Sequence, residues 1–303
     1  MVKRELRTER GRLVLIGGDG ADDTLLDAVE ELARLRLNEP RPENGPLELA
    51  GRRVWCKAGH LRGRSRVRHA ARRLLLSKQA PRLSELVNLT WLRERGFQAP
   101  EPLAAGVVQR TGLPGFQFLV TARLEHTRTL RRFLERGPEP EERAAILDEL
   151  AEETARMHAL RFVHRDLFPR NLLIGPQGSP GSTARRVAFL DAWAGGPQPR
   201  SRGPLDAARR GTAYDLACLM LYGCDLLTEQ EQHRFFARYT EQRDQHGQPL
   251  RDGSFFERVR RERSALVRRM IRRPAQQRGH GAPREAWTPP APKPTRTGAL
   301  ETR

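Results

Sequence analysis

The chain has 303 residues, with 55 Lys and Arg against 37 Asp and Glu and a formal net charge of +18. That length can bury a full core and suits one two-lobed unit or two small domains. The charge fits an anionic partner (nucleic acid, an anionic membrane surface or a phosphorylated glycolipid) unless it only reflects Arg-biased usage in a GC-rich genome.

Three cysteines, Cys56, Cys218 and Cys224, form no C-x-x-C pair and no metal spacing, which fits reduced thiols. The N-terminus has no apolar signal region and no apolar run is long enough to span a bilayer, so the expectation is a cytoplasmic chain. Residues 12–16 (RLVLI) predict a strand and Gly17-Gly18-Asp19-Gly20 a turn. The recurrence of Leu25, Leu26, Val29, Leu32 and Leu35 predicts a helix over 22–37. Strand, glycines and helix in this order could cradle a phosphate through backbone N–H groups. Neither G-x-G-x-x-G nor G-x-x-x-x-G-K-[ST] is present, so a plain turn is the competing reading.

Residues 38–51 read as a Pro/Gly-rich loop, and RRVWCK (52–57) as a strand ending in Lys57. Arg62, Arg64, Arg66, Arg68, Arg72 and Arg73 follow as the densest basic patch. Alternating arginines cannot share one helical face, so the first part of this patch is expected to be loop. The patch is either a solvated surface or a contact for a phosphate-rich substrate or an anionic bilayer. Residues 82–95 predict a helix stopped by Gly96. On its wheel Glu85 falls between Leu89 and Leu92, on an apolar face, where a carboxylate demands a cation. Glu94 is the alternative, but in the last turn it opposes the helix dipole.

Residues 106–110 and 116–121 predict a β-hairpin, 130–135 a short helix and 139–160 a long one with Pro140 near its start. That helix leads into FVHRDLFPRN (162–171). A second hairpin, 172–174 with 186–190, leads to Asp191, and a Gly/Pro/Arg loop occupies 192–212. An apolar helix over 214–227 carries Asp215 near its start, and 229–240 and 254–271 read as helices. From Arg272 the composition is that of a disordered, basic, Pro-rich tail.

Asp166, an Asn five positions on and Asp191 closing a strand are the residue types that phosphoryl transfer needs. Asp166 would orient or deprotonate an acceptor hydroxyl. Asn171 and Asp191 would hold Mg²⁺ against the phosphates of ATP. Lys57 would bind those phosphates, steadied by Glu85. His164 reads as structural. Asp215 is either a helix N-terminal carboxylate or a buried acceptor for catalytic-loop N–H groups, and this set favours the second.

WCK with Lys57, SELVNLTWLRERGFQAPEPLAAG (84–106), FLVTARLE (118–125), HRDLFPRNLLI (164–174) and FLDAW (189–193) together resemble the bacterial lipopolysaccharide core (Kdo/heptose) kinases, a branch of the protein-kinase-like superfamily. The resemblance implies an α+β, two-lobed protein-kinase-like fold with a small antiparallel-sheet N-lobe and a mostly helical C-lobe. It sets the N-lobe at 1–125 (1–50 atypical), the C-lobe at 126–271 and the tail at 272–303. It implies ATP and Mg²⁺ as cofactors and Lys57, Glu85, Asp166, Asn171 and Asp191 as site residues. The backbone around Glu125 would hold the adenine. The acceptor would be a sugar hydroxyl of the lipid A–inner core glycolipid, reached from the inner face of the inner membrane by peripheral contact. Phe168 stands where Ser/Thr kinases have Lys, and Ala192-Trp193 replace Phe-Gly. Both departures favour a non-protein acceptor. A protein or aminoglycoside-like kinase and a nucleotide-binding pseudokinase are the alternatives. A nucleic-acid binder ranks last, because aromatics make up only 6% of the chain.

Overall fold

The computed structural model describes residues 1–76, 79–110, 113–176, 186–198, 211–247, 253–272 and 283–290. The chain forms two compact units, one from Met1–Arg128 with Asn171–Gly196, the other from Thr129–Arg170 with Pro197–Arg303. The first is built on an antiparallel sheet and the second is mostly helical, as the α+β expectation requires.

In the first unit the elements run β1 (Val2–Thr8), β2 (Gly11–Gly17), α1 (Asp23–Asn38), β3 (Gly45–Leu49), β4 (Arg52–His60), α2 (Gly63–Leu76), α3 (Pro81–Glu94), β5 (Pro102–Arg110) and β6 (Leu113–Ala122). The six strands lie in the order β1-β2-β5-β6-β4-β3. Alternation along the strands gives one apolar face: Leu13 and Leu15 of β2 and Val54, Cys56 and Ala58 of β4 are buried there. α1 covers it with Leu25, Leu26, Val29, Ala33 and Leu37. Asp22 caps α1, its carboxylate accepting from the Leu25 N–H at 2.8 Å.

Three local features differ from the sequence reading. β1 was not expected, and neither was β3, which lies within the stretch read as loop. Both are edge strands whose charge or proline masks the apolar alternation. α2 is helical from Gly63, although its arginines do not share a face. Arginine is a good helix former, and a surface helix needs only a narrow buried stripe, here including Ala70. The Gly17–Gly20 segment is a turn. The Gly18 N–H is bonded to the Leu103 carbonyl at 2.8 Å. A Cβ on Gly18 would stand 1.9 Å from the Pro102 oxygen. β5 and β6 separate β2 from β4, so these glycines are roughly 14 Å from the strand that carries Lys57.

The second unit contains α4 (Leu130–Glu135), α5 (Pro140–Ala159), α6 (Thr212–Leu226), α7 (Glu229–Gln245) and α8 (Ser254–Ile271). α6 is buried along nearly its whole length and α8 packs against it. α7 opens with a reciprocal Thr228–Glu231 capping box and lies on α5. Residues 283–290, assigned to the tail by composition, lie against these helices. The Trp287 indole N–H donates to Gln232 Oε1 at 2.7 Å. Arg263, fully buried, donates to the carbonyls of Met220 and Arg284 at 2.9 and 2.7 Å. No helix among the described residues is long and apolar enough to cross a membrane.

Candidate active site

In the first unit the site is built around Lys57. Its Nζ lies 2.7 Å from Glu85 Oε1 and 2.5 Å from Asp191 Oδ1. Arg82 closes the cluster, with Nη1 2.5 Å from Glu85 Oε2 and 3.8 Å from Asp191 Oδ1. Two cations therefore face two carboxylates, and the fully buried Glu85 charge is compensated from both sides. Burial pulls the Lys57 ammonium down, and Glu85 and Asp191 outweigh that, holding its pKa above the ordinary lysine value. Lys57 is a fixed positive charge at any physiological pH. Glu94 is exposed and, among the described residues, pairs with its neighbour Arg95 at 3.4 Å, so the helix carboxylate that reaches Lys57 is Glu85.

α3 also positions Asp191, through a residue that the sequence reading missed. Asn88, one turn after Glu85 on the same buried face, donates from Nδ2 to the Ala192 carbonyl at 2.6 Å. The remaining backbone around Asp191 is equally tied: the Phe189 N–H to Gln98 O and the Leu190 N–H to Asn171 O, both at 2.9 Å. These bonds hold Asp191 in a left-handed conformation (φ 56°, ψ 35°), unusual for a residue other than Gly, Asn or Asp. They also bring the backbone of Asn171 beside that of Asp191. An Asn in the apolar stripe of a helix was the available signal for Asn88, since a buried amide requires a partner.

Asn171 and Asp191 offer one amide oxygen and one carboxylate. That donor set suits Mg²⁺, which keeps waters and takes further oxygens from phosphates. It contains no thiol or imidazole that would favour zinc. Glu125 belongs to the same unit, but its carboxylate is engaged by Arg53 and Arg123 at 3.4 and 3.6 Å. The Cys56 thiol beside Lys57 is pushed up to about 11 by burial and is a packing residue, not a nucleophile. A separate cavity of about 240 Å³, lined by Lys3, Glu5, Arg12, His69 and Leu83 among others, includes none of the site residues.

In the second unit Asp166 sits in a loop anchored from beneath. Asp215, fully buried at the start of α6, accepts from the backbone N–H groups of His164 and Arg165, each at 2.6 Å. This is the acceptor role read from the sequence, and it stabilises Arg165 at a positive φ of 59°. His158 Nε2 is 3.2 Å from the same carboxylate, and its Nδ1 is 2.8 Å from the Tyr239 hydroxyl. The neutral tautomer with the proton on Nε2 satisfies both contacts. Arg170 Nη2 lies 3.4 Å from Asp166 Oδ1, and its guanidinium covers the Phe168 ring at 4.2 Å. A cation therefore stands beside Asp166, on Arg170, although position 168 is a phenylalanine.

The family model for the lipopolysaccharide kinase (Kdo/WaaP) family matches residues 38–239, which include Lys57, Glu85, Asp166, Asn171, Asp191 and Asp215. Among solved structures, WaaP in complex with acyl carrier protein is similar at 21% identity and a TM-score of 0.52, over 83% of this chain and 98% of that one. A glucosamine kinase is similar at 14% identity and a TM-score of 0.47, over 91% of each chain. No curated protein sequence matches. The fold is the two-lobed protein-kinase-like fold and the chain is an ATP-dependent phosphotransferase. The chain belongs to the lipopolysaccharide kinase (Kdo/WaaP) family.

Proposed function

We propose that the chain transfers the γ-phosphoryl group of ATP to a sugar hydroxyl of the lipopolysaccharide inner core. The observation that carries this reading is the Lys57–Glu85–Asp191 cluster, set in a chain of this family. Lys57, kept charged and aimed by Glu85, binds the nucleotide phosphates. Asn171 and Asp191 hold Mg²⁺, which when bound neutralises charge on the transferring group. Asp166 orients the acceptor hydroxyl and takes its proton as the oxygen attacks phosphorus. Arg170, beside Asp166, steadies the transferred phosphoryl group or the acceptor's own anionic substituents. The glycolipid acceptor would be met at an anionic membrane surface, with the arginines of α2 as the peripheral contact.

Incubation with γ-labelled ATP and lipid A–core acceptor tests the reading. Label should appear on the sugar, and Asp166→Asn should lower turnover about 10²- to 10⁴-fold while nucleotide affinity stays within a few-fold of wild type. Label confined to protein acceptors would exclude the glycolipid. Transfer that survives Asp166→Asn would exclude Asp166 as the base.

A further inference from the structure

We propose that Arg243 of α7 is the centre of an anion site in the second unit, beneath the catalytic loop, and that it takes a small oxyanion of the phosphate class.

Five charged side chains are buried among the described residues: Glu85, Glu153, Asp215, Arg243 and Arg263. Four of them are compensated. Lys57 and Arg82 flank Glu85, and Arg156 lies 2.6 Å from Glu153. Asp215 collects three donors, and Arg263 donates to backbone carbonyls. Arg243 is the exception. It is only 9% exposed, its Nε and Nη1 are buried without a hydrogen-bond partner, and it forms no ion pair with a carboxylate among the described residues. A cation in that state is strongly destabilising, because burial strips its hydration and nothing replaces it. Water would satisfy the N–H groups but leave the charge. An oxyanion answers both, and its geometry matches the fork of a guanidinium.

Three helices meet at this corner. Tyr239 lies one turn before Arg243 on α7, and its hydroxyl is 2.8 Å from Nδ1 of His158 on α5. The charge of Arg243 reaches both rings, lowering the proton affinity of the imidazole and of the phenol. Phe255, in the first turn of α8, stacks on Tyr239 at 6.2 Å, and α8 starts without a side-chain cap. Such a helix start favours negative charge nearby. Asp215 does not serve as the counterion, because its carboxylate is filled by His158 and the N–H groups of His164 and Arg165. An anion on Arg243 would therefore extend the chain of contacts from Tyr239 through His158 to Asp215, which anchors the catalytic loop. The burial of Arg243 favours a free ion over the end of a larger phosphorylated molecule.

Chemical denaturation of the full chain in sulfate and in chloride, at matched ionic strength, tests the site. Arg243→Met and Arg243→Gln keep much of the aliphatic stem and lose the charge. In chloride both variants should unfold no more readily than wild type, since they remove an unpaired buried charge. In sulfate the wild type should gain over both variants, its unfolding constant falling about tenfold further for each tenfold rise in sulfate above Kd. The general stabilising effect of sulfate is shared by all three proteins, as is any sulfate held by Lys57 and Arg82, so both cancel. Phosphate should act as sulfate does, and glycerol phosphate should not. Glycerol phosphate acting as strongly as phosphate would overturn the free ion as the ligand. Sulfate stabilising the three proteins alike would overturn the site. So would marked destabilisation of both variants in chloride, which would mean that Arg243 has its partner within the chain.

Discussion

At the scale of single residues, the site depends on how a buried charge is compensated. Glu85 and Glu94 lie on one helix, yet one is fully buried between Lys57 and Arg82 while the other is 60% exposed. Glu85→Gln leaves two half-buried cations facing the single remaining carboxylate of Asp191, in a place that water screens only in part. It should lower unfolding free energy by about 3–5 kcal/mol in a denaturant titration and reduce kcat/KM for ATP, since Lys57 loses its aim. Glu94→Gln, at an exposed end of the helix, should shift stability by no more than about 0.5 kcal/mol. Equal effects of the two substitutions would mean that the Lys57–Glu85 pair is not the one that matters. The wheel position of Glu85 on an apolar face makes this pair legible in the sequence. Arg82 was not legible, because arginine three residues before a glutamate is ordinary in surface helices, and Asn88 stood out only as an amide in an apolar stripe, with no sign of its partner. Only tertiary contact with the Asp191 segment gives them their roles.

At the scale of elements, α6 and α5 hold the catalytic loop through one buried carboxylate. Asp215 gathers the N–H groups of His164 and Arg165 and the imidazole of His158, which Tyr239 of α7 orients from its other side. Burial lowers the His158 pKa, outweighing the Asp215 contact that raises it, while the nearby Arg243 guanidinium lowers it further. A histidine depressed below its unfolded value of 6.5 binds fewer protons folded than unfolded. Its contribution is complete above that pH and is lost as pH falls below it, with a slope approaching about 1.4 kcal/mol per pH unit. His158→Gln keeps a donor and an acceptor there and does not titrate. Its stability should fall less steeply than wild type between pH 6.5 and the depressed native value, read from chemical denaturation at several pH values. Parallel curves for the two proteins would mean that His158 is not the titrating group. The helices of this anchor were readable from their apolar period, and Asp215 from its position at the head of the most apolar one. His158 and Tyr239 were not. One histidine near the end of an amphipathic helix carries no signal for a partner 81 residues away. The strands divide in the same way: β4 alternates cleanly and β2 and β6 carry continuous apolar runs, whereas β1 has only Arg4, paired with Asp23 and Asp27, and Leu6 at its inward positions.

At the scale of the whole molecule, the question is whether a net charge of +18 does anything specific. A uniform excess of arginine would attract any anionic surface weakly and would be indifferent to which arginines were removed. α2 offers a localised alternative: Arg62 and Arg64 are exposed at its start, and Val67, 69% exposed on the same helix, adds an apolar contact. Each basic residue near an anionic bilayer is worth about 1 kcal/mol, and the attraction fades beyond a Debye length of about 8 Å at physiological salt. Two arginines at the point of contact therefore account for about a 30-fold difference in partition. The expectation is co-sedimentation with vesicles rich in anionic phospholipid, none with neutral vesicles, and release as salt is raised. Arg62→Ala with Arg64→Ala should weaken binding about 30-fold. Removing two exposed arginines from the second unit, Arg258 and Arg261 of α8, should change it only by the small effect of net charge. Equal losses from the two pairs would assign the charge to the molecule as a whole and leave α2 without a membrane role. A selective loss from α2 would make it the element that brings the active centre to a lipid-borne acceptor.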